Sequence, residues 1–282
     1  MESPFSLAPS RRVTLVAATL LAFIGGAALA QDCRAVDWTR AFLPGGGDPI
    51  ETAIETAYPG SDLDWAAGIF TTPDGLQVPA VPASDATPAE RLAAATFGDQ
   101  FTVVYPLEFD LSARLEPWAD PGRYRDEGFL RALYGDSAEE VRQSLVRVGY
   151  NDGAITAEFF VTSRHCVYAQ LQAALDRIEN QDNGEMFMSI GGSFNWRTIA
   201  GTERLSVHSF GAAVDINSQL GGYWRWSGAT EGAVGEFDNR VPRDLVEAME
   251  RYGFIWGGKW HHFDGMHFEY RPELILYARL MR

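Results

Sequence analysis

Four of the five histidines in this 282-residue chain fall between His208 and His267, interleaved with Asp, Gly and Trp. Nothing else in the sequence limits the fold as strongly, because ligating side chains gathered in one third of a chain have to be brought to a common point. In the run Ser206-Val207-His208-Ser209-Phe210-Gly211-Ala212-Ala213-Val214-Asp215, His208 and Asp215 flank Gly211, which permits a tight turn or close backbone approach. Ala212 to Ile216 then reads as a small-residue strand. A second cluster runs from Trp256 to Tyr270, where a strand from Met266 places His267 and Glu269 on one face and Met266, Phe268 and Tyr270 on the other. Zn2+ accepts both imidazole and carboxylate, and three protein ligands with one open position is its catalytic pattern. His208, Asp215 and His267 are therefore the candidate ligands. Asp264, next to Gly265, sits where a turn swings its carboxylate towards the attacking water, the place of a general base.

The remaining chain frames this region. Arg11 and Arg12 precede an apolar run from Val13 to Leu29 that ends in Ala28-Leu29-Ala30, so residues 1–30 read as a cleaved export signal and the mature chain starts at Gln31. This predicts a periplasmic or extracellular protein with no stable membrane span after cleavage. A formal net charge of -15 and no run of five Lys or Arg exclude a nucleic-acid partner. Cys33 and Cys166 are the two cysteines. They form either one disulfide, which an exported chain permits, or two buried thiols.

Gly, Pro, Asp and Ala dominate the stretch from Gln31 onwards, which reads as a loop-rich N-terminal extension over 31–120 ahead of a domain over 121–282. Thr87-Pro88-Ala89-Glu90 predicts a capped helix through Ala95. Phe101 to Phe109 is strand-like, and a helix is expected around Phe129 to Tyr134. Ser137-Ala138-Glu139-Glu140 predicts another, ending near Val148. Ala157–Val161 and Cys166–Tyr168 read as strands, and Leu171 to Ile178 as a helix.

With these residues in hand, the sequence resembles a known family. Ser206, His208, Gly211, Ala213 and Asp215 fit Ser-x-His-x-x-Gly-x-Ala-x-Asp, and Asp264 and His267 fit Asp-x-x-His. Together with Gly253-Phe254-x-Trp256-Gly257-Gly258 they resemble the zinc D-alanyl-D-alanine carboxypeptidase and L-alanyl-D-glutamate endopeptidase family, which acts on peptidoglycan peptides. The resemblance implies an α+β fold in which a small antiparallel sheet carries the zinc site, with His208, Asp215 and His267 as ligands and Asp264 as base. Asp rather than Glu at position 264 is more like the endopeptidase branch. The family also has an arginine upstream of the first ligand that stabilises the oxyanion; Arg197 is the candidate, with Arg204 as the alternative.

Several residues carry a second reading. His262 lines the cleft or caps a loop, with His261 the weaker candidate; His165 reads as structural. Glu269 orients a ligand imidazole or forms a surface ion pair. Ser206 and Trp260 are further candidates for substrate contact or for support of the ligands; Trp224, Trp226, Trp256 and Trp260 either floor a glycan- or peptide-binding cleft or, the first reading for all four, pack in the core. The rival from another class is a non-catalytic cell-wall-binding module that retains the fold. A serine peptidase is disfavoured by the absence of Gly-x-Ser-x-Gly and Ser-x-x-Lys motifs.

Overall fold

Turn residues and helix caps cut the first half of the chain into short pieces. The computed structural model describes Met1 and residues 33–179, 181–199 and 201–282; apart from Met1, the expected export signal lies outside them. Asp48 caps α1 (Pro49–Ala57), accepting from the N–H groups of Ile50 and Glu51. An antiparallel meander follows: β1 (Asp62–Asp64), β2 (Ile69–Thr71) and β3 (Gln77–Pro79). Thr87 and Glu90 close a reciprocal capping box on α2 (Pro88–Ala93). Asp126 caps α3 (Glu127–Tyr134) and Ser137 caps α4 (Ala138–Ser144). The hairpin of β4 (Leu145–Asn151) and β5 (Thr156–Thr162) packs on α5 (Val167–Ile178).

The chain then enters β6 (Ile190–Gly192), β7 (Ala213–Asn217), α6 (Ser218–Gly221), α7 (Arg243–Arg251), β8 (Phe254–Trp256), β9 (His267–Tyr270) and α8 (Pro272–Leu280). Its four strands form an antiparallel sheet in the order β6-β7-β9-β8. The fold is therefore α+β, with small antiparallel sheets. Among the described residues, no helix is long and apolar enough to cross a membrane.

Three local expectations are corrected. Residues 102–109 form no strand: Pro106 lacks an N–H and its carbonyl accepts from Lys259 Nζ at 2.8 Å, while the Tyr105 hydroxyl accepts from Trp256 N–H at 2.9 Å. The helix expected to reach Val148 stops at Ser144, because alternation of buried Val148 and Tyr150 with Arg147 and Asn151 suits β4 instead. Cys166 to Tyr168 opens α5 rather than a strand.

Cys33 to Arg282 form one compact unit. Trp38, Ile54, Tyr58, Phe70, Phe97 and Phe101 share one apolar core with Phe268, Tyr270 and Leu274, so residues before 120 do more than decorate the sheet. Phe129 receives the rings of Tyr58, Phe70 and Phe97 edge-on at centroid distances of 5.9, 5.1 and 5.1 Å. A Cys33–Cys166 disulfide closes a loop spanning 133 positions. In the chain-entropy view a loop of that length stabilises the fold by up to about 5 kcal/mol.

His165 is structural, as its sequence context predicts. Its Nε2 bonds Leu133 O at 3.1 Å, and its ring meets Tyr58 and Tyr134 edge-on. Burial lowers its pKa to about 4. The unfolded chain thus takes up this proton near pH 6.5 and the native state only near 4, so acidification across that window favours unfolding. Denaturant titrations at pH 7 and pH 5 should give a loss on the order of 2 kcal/mol from this group. His165→Asn, which tolerates the φ of 49° there, should be less stable at pH 7 yet show a flatter pH dependence. An unchanged slope would remove His165 as its origin.

Candidate metal centre

Strand register brings the first two candidate ligands together. β7 pairs with β9 so that Asp215 stands opposite His267. Gly191, on neighbouring β6, leaves the necessary room, since a Cβ there would lie 2.7 Å from Asp215 Cβ. His208 arrives from a single 3-10 turn, Val207–Phe210, which Ser206 caps and Gly211 ends at φ 64°. A side chain at Gly211 would be strained by that φ, and its Cβ would press on Thr162 N at 3.0 Å.

His208 Nε2, Asp215 Oδ1 and His267 Nδ1 make a triangle: 3.2 Å between the imidazoles, 3.0 Å from His267 to Asp215 and 3.2 Å from His208 to Asp215. Bonds of about 2.0–2.1 Å around tetrahedral zinc give a ligand–ligand edge of about 3.3 Å, so the triangle has the size of one tetrahedral face. The far ring nitrogens are tied down. His208 Nδ1–H donates to Ser193 O at 2.5 Å, and His267 Nε2–H donates to Glu269 Oε2 at 3.0 Å, tautomers that follow from these acceptors.

Protein groups alone can reconcile two imidazoles and a carboxylate at this distance only by holding a proton. Burial disfavours charge on His267, yet the carboxylates of Asp215 and Glu269 outweigh it and raise its pKa to about 9. Burial likewise opposes ionisation of Asp215, but His208 and His267 keep its carboxyl well below the usual range. A divalent cation satisfies all three groups at once, and a donor set of two nitrogens and one oxygen fits zinc.

Asp264 lines the same cleft, which has a volume of about 270 Å³. Backbone bonds fix it: its N–H donates to Gly257 O at 2.9 Å, and its carbonyl accepts from His267 N–H at 3.1 Å. Burial raises its pKa above the usual carboxylate value, and its Oδ1 is buried with no hydrogen-bond partner. Arg197, Ser206 and Trp260 line the cleft too. Arg197 is exposed, its backbone N–H held by Ser209 Oγ at 3.0 Å. Arg204 is not among the lining residues.

Glu269 is a buried residue behind His267 and not a surface ion pair. Arg125 Nε donates to it at 3.2 Å, Arg125 Nη2 closes a second bond, and Arg271 Nη1 lies at 3.4 Å. Burial opposes its charge, but Arg125, His267 and Arg271 hold its pKa well below the usual value. His262 does not reach the cleft, because both its nitrogens are spent elsewhere: Nδ1–H donates to Asp120 Oδ2 at 2.6 Å and Nε2 accepts from Gly232 N–H at 2.9 Å. His261 Nδ1 bonds Arg114 O at 2.9 Å. Trp256 stacks on Phe109 and Phe268 in the core, Trp224 is buried beside His262, and Trp226 is exposed.

Arg123 and Arg125 also line the cleft and escaped the sequence reading. Their signal was faint: two arginines at strand spacing directly after the Pro121-Gly122 turn.

A family model described as D-alanyl-D-alanine carboxypeptidase matches residues 200–270. This segment carries the carboxypeptidase family pattern. It contains all three candidate ligands and Asp264, and it begins after Arg197. The match supports the resemblance read from the motifs and, more broadly, a hydrolase of the peptidoglycan-related peptidase kind. No curated protein and no solved structure matches the chain.

The Glu269 contact can be tested by metal affinity. Glu269→Gln keeps the shape but removes the charge that fixes the His267 tautomer, and competition against a chelator should show zinc affinity lower by about 10- to 100-fold. Unchanged affinity in a folded variant would contradict the role given to Glu269.

Proposed function

We propose that the exported, mature chain is a zinc-dependent peptidase hydrolysing amide bonds in the peptide part of peptidoglycan, of the D-alanyl-D-alanine carboxypeptidase or L-alanyl-D-glutamate endopeptidase type. One observation carries the reading: a ligand triangle of zinc dimensions shares a cleft with a carboxylate whose buried oxygen has no partner. Zinc bound there would supply Lewis acidity and lower the pKa of water near it.

The protein's own groups account for the remainder. Asp264, its pKa raised by burial, takes the proton of the attacking water and returns it to the leaving amine. Arg197 stands on the cleft wall as a donor to the developing oxyanion. Trp260, 1% exposed, excludes water from one side. Export is supported by the Cys33–Cys166 disulfide, a bond that persists in oxidising compartments. A wall-binding module without turnover would not need a buried carboxylate left free of partners beside the ligands.

The test uses purified mature protein beside Asp264→Asn and His267→Ala, with zinc content and peptidoglycan digestion products measured together. The native protein should hold one zinc and release new peptide ends. Asp264→Asn should keep the metal and lose turnover by at least about 100-fold, whereas His267→Ala should lose both. Full turnover in Asp264→Asn would reject the mechanism, and zinc without any cleavage by the native chain would favour the binding module.

A further inference from the structure

Arg123 lines the cleft with Asp264 and Trp260, and its guanidinium is held in place. Nε donates to His262 O at 2.9 Å, and the guanidinium carbon lies 4.7 Å from the Trp260 ring centroid. Its Nη2 is buried without a hydrogen-bond partner among the described residues. A guanidinium N–H in that condition is costly unless an acceptor arrives.

The surroundings do not supply one. Asp120, the carboxylate three residues back, is taken up by the His262 N–H and Nδ1–H at 2.8 and 2.6 Å, and Glu269 by Arg125, Arg271 and His267. The adjoining Arg204 is another cation: its Nη1 donates to Arg123 O at 3.4 Å, and its Nε is buried and unpartnered. Burial, followed by the fields of Arg125 and Arg123, lowers the Arg204 pKa to about 10. Three arginines, Arg123, Arg125 and Arg197, thus line the cleft with Arg204 behind them, although the chain carries a formal net charge of -15. A grouping of this kind favours an anionic ligand group. Arg123 and Asp264 line the same cleft, so an anion held by Arg123 lies on the side of the group that returns a proton to the departing amine.

We propose that Arg123 binds a free carboxylate on the leaving side of the scissile amide, on the carbon that bears the released nitrogen. The inference rests on the peptidase reading above. Both candidate bonds place a carboxylate there. In D-alanyl-D-alanine it is the terminal carboxylate of the departing D-alanine; in an L-alanyl-γ-D-glutamyl bond it is the α-carboxylate of the D-glutamate. Planar, forked arginine suits such a carboxylate, so Arg123 sets specificity while Arg197 faces the oxyanion.

The probes are a synthetic stem pentapeptide, L-Ala-γ-D-Glu-L-Lys-D-Ala-D-Ala, and two analogues in which either the terminal or the D-glutamyl α-carboxyl is an amide. Binding to zinc-loaded Asp264→Asn is followed by calorimetry, and cleavage by the native chain is measured separately. One of the two amides should bind on the order of 10- to 100-fold more weakly than the acid. Loss with the terminal amide assigns carboxypeptidase action; loss with the D-glutamyl amide assigns endopeptidase action. Adding Arg123→Gln should cost the acid that same factor and leave the sensitive amide unchanged. Arg123→Met, which keeps an apolar stem over Trp260, repeats the test should the Gln variant fail to fold.

Equal binding of acid and both amides, or a preference that survives loss of the Arg123 charge, would overturn the proposal. Cleavage without such a preference would sink the carboxylate site alone. Preference in binding without cleavage by the native chain would sink the peptidase reading alone, and a protein that binds none of the three peptides would lose both.

Discussion

The antiparallel pairing of β7 with β9 is the constraint on which the centre depends. Because successive side chains alternate across a sheet, the Asp215–His267 register decides at once that both donors face the cleft and that Val214 and Phe268 face the core. A slip of one residue would bury the carboxylate among apolar side chains and turn the imidazole away. The same strand carries Glu269 two positions on from His267, so one backbone segment supplies both a candidate ligand and the acceptor that orients it.

Behind that strand lies a buried ionic network whose cost is met only by being complete. Glu269 and Arg271 are fully buried, and Arg271 passes the chain of contacts to Glu273 and to Gln100, whose Oε1 accepts from it at 2.9 Å. Tyr58 donates to Glu273 at 2.8 Å. Breaking such a set by removing one partner typically costs about 3–5 kcal/mol, because the remaining charge is left without compensation. Tyr58, Gln100 and Asp120 come from the loop-rich part of the chain. That part therefore serves as a buttress: it completes the hydrogen bonding of Arg271 and Glu273 and fixes His262 away from the cleft.

The candidate ligands were legible because their chemistry and spacing coincide: His208 and Asp215 around a glycine that must take a left-handed φ, and His267 in a strand of alternating aromatic residues. Capping chemistry revealed α2 through Thr87 and Glu90 and the start of α4 through Ser137, since those interactions are local; α3 was legible only from its apolar run, and its cap, Asp126, was not read. What could not be read was long-range. Nothing near Arg125 in sequence announces Glu269, 144 positions away, and nothing near His262 announces Asp120, 142 positions away. Phe101 to Phe109 misled for the same reason: its apolar residues are used as side-chain anchors, with no neighbouring strand to pair with.

The most direct test of the central claim is an anomalous difference map at the zinc edge from crystals of the zinc-loaded protein. The account predicts one strong peak about 2.0–2.2 Å from His208 Nε2, Asp215 Oδ1 and His267 Nδ1, with Glu269 still bonded to the far nitrogen of His267. A peak elsewhere, ligation through His267 Nε2, or an empty triangle in a protein that holds stoichiometric zinc would contradict it.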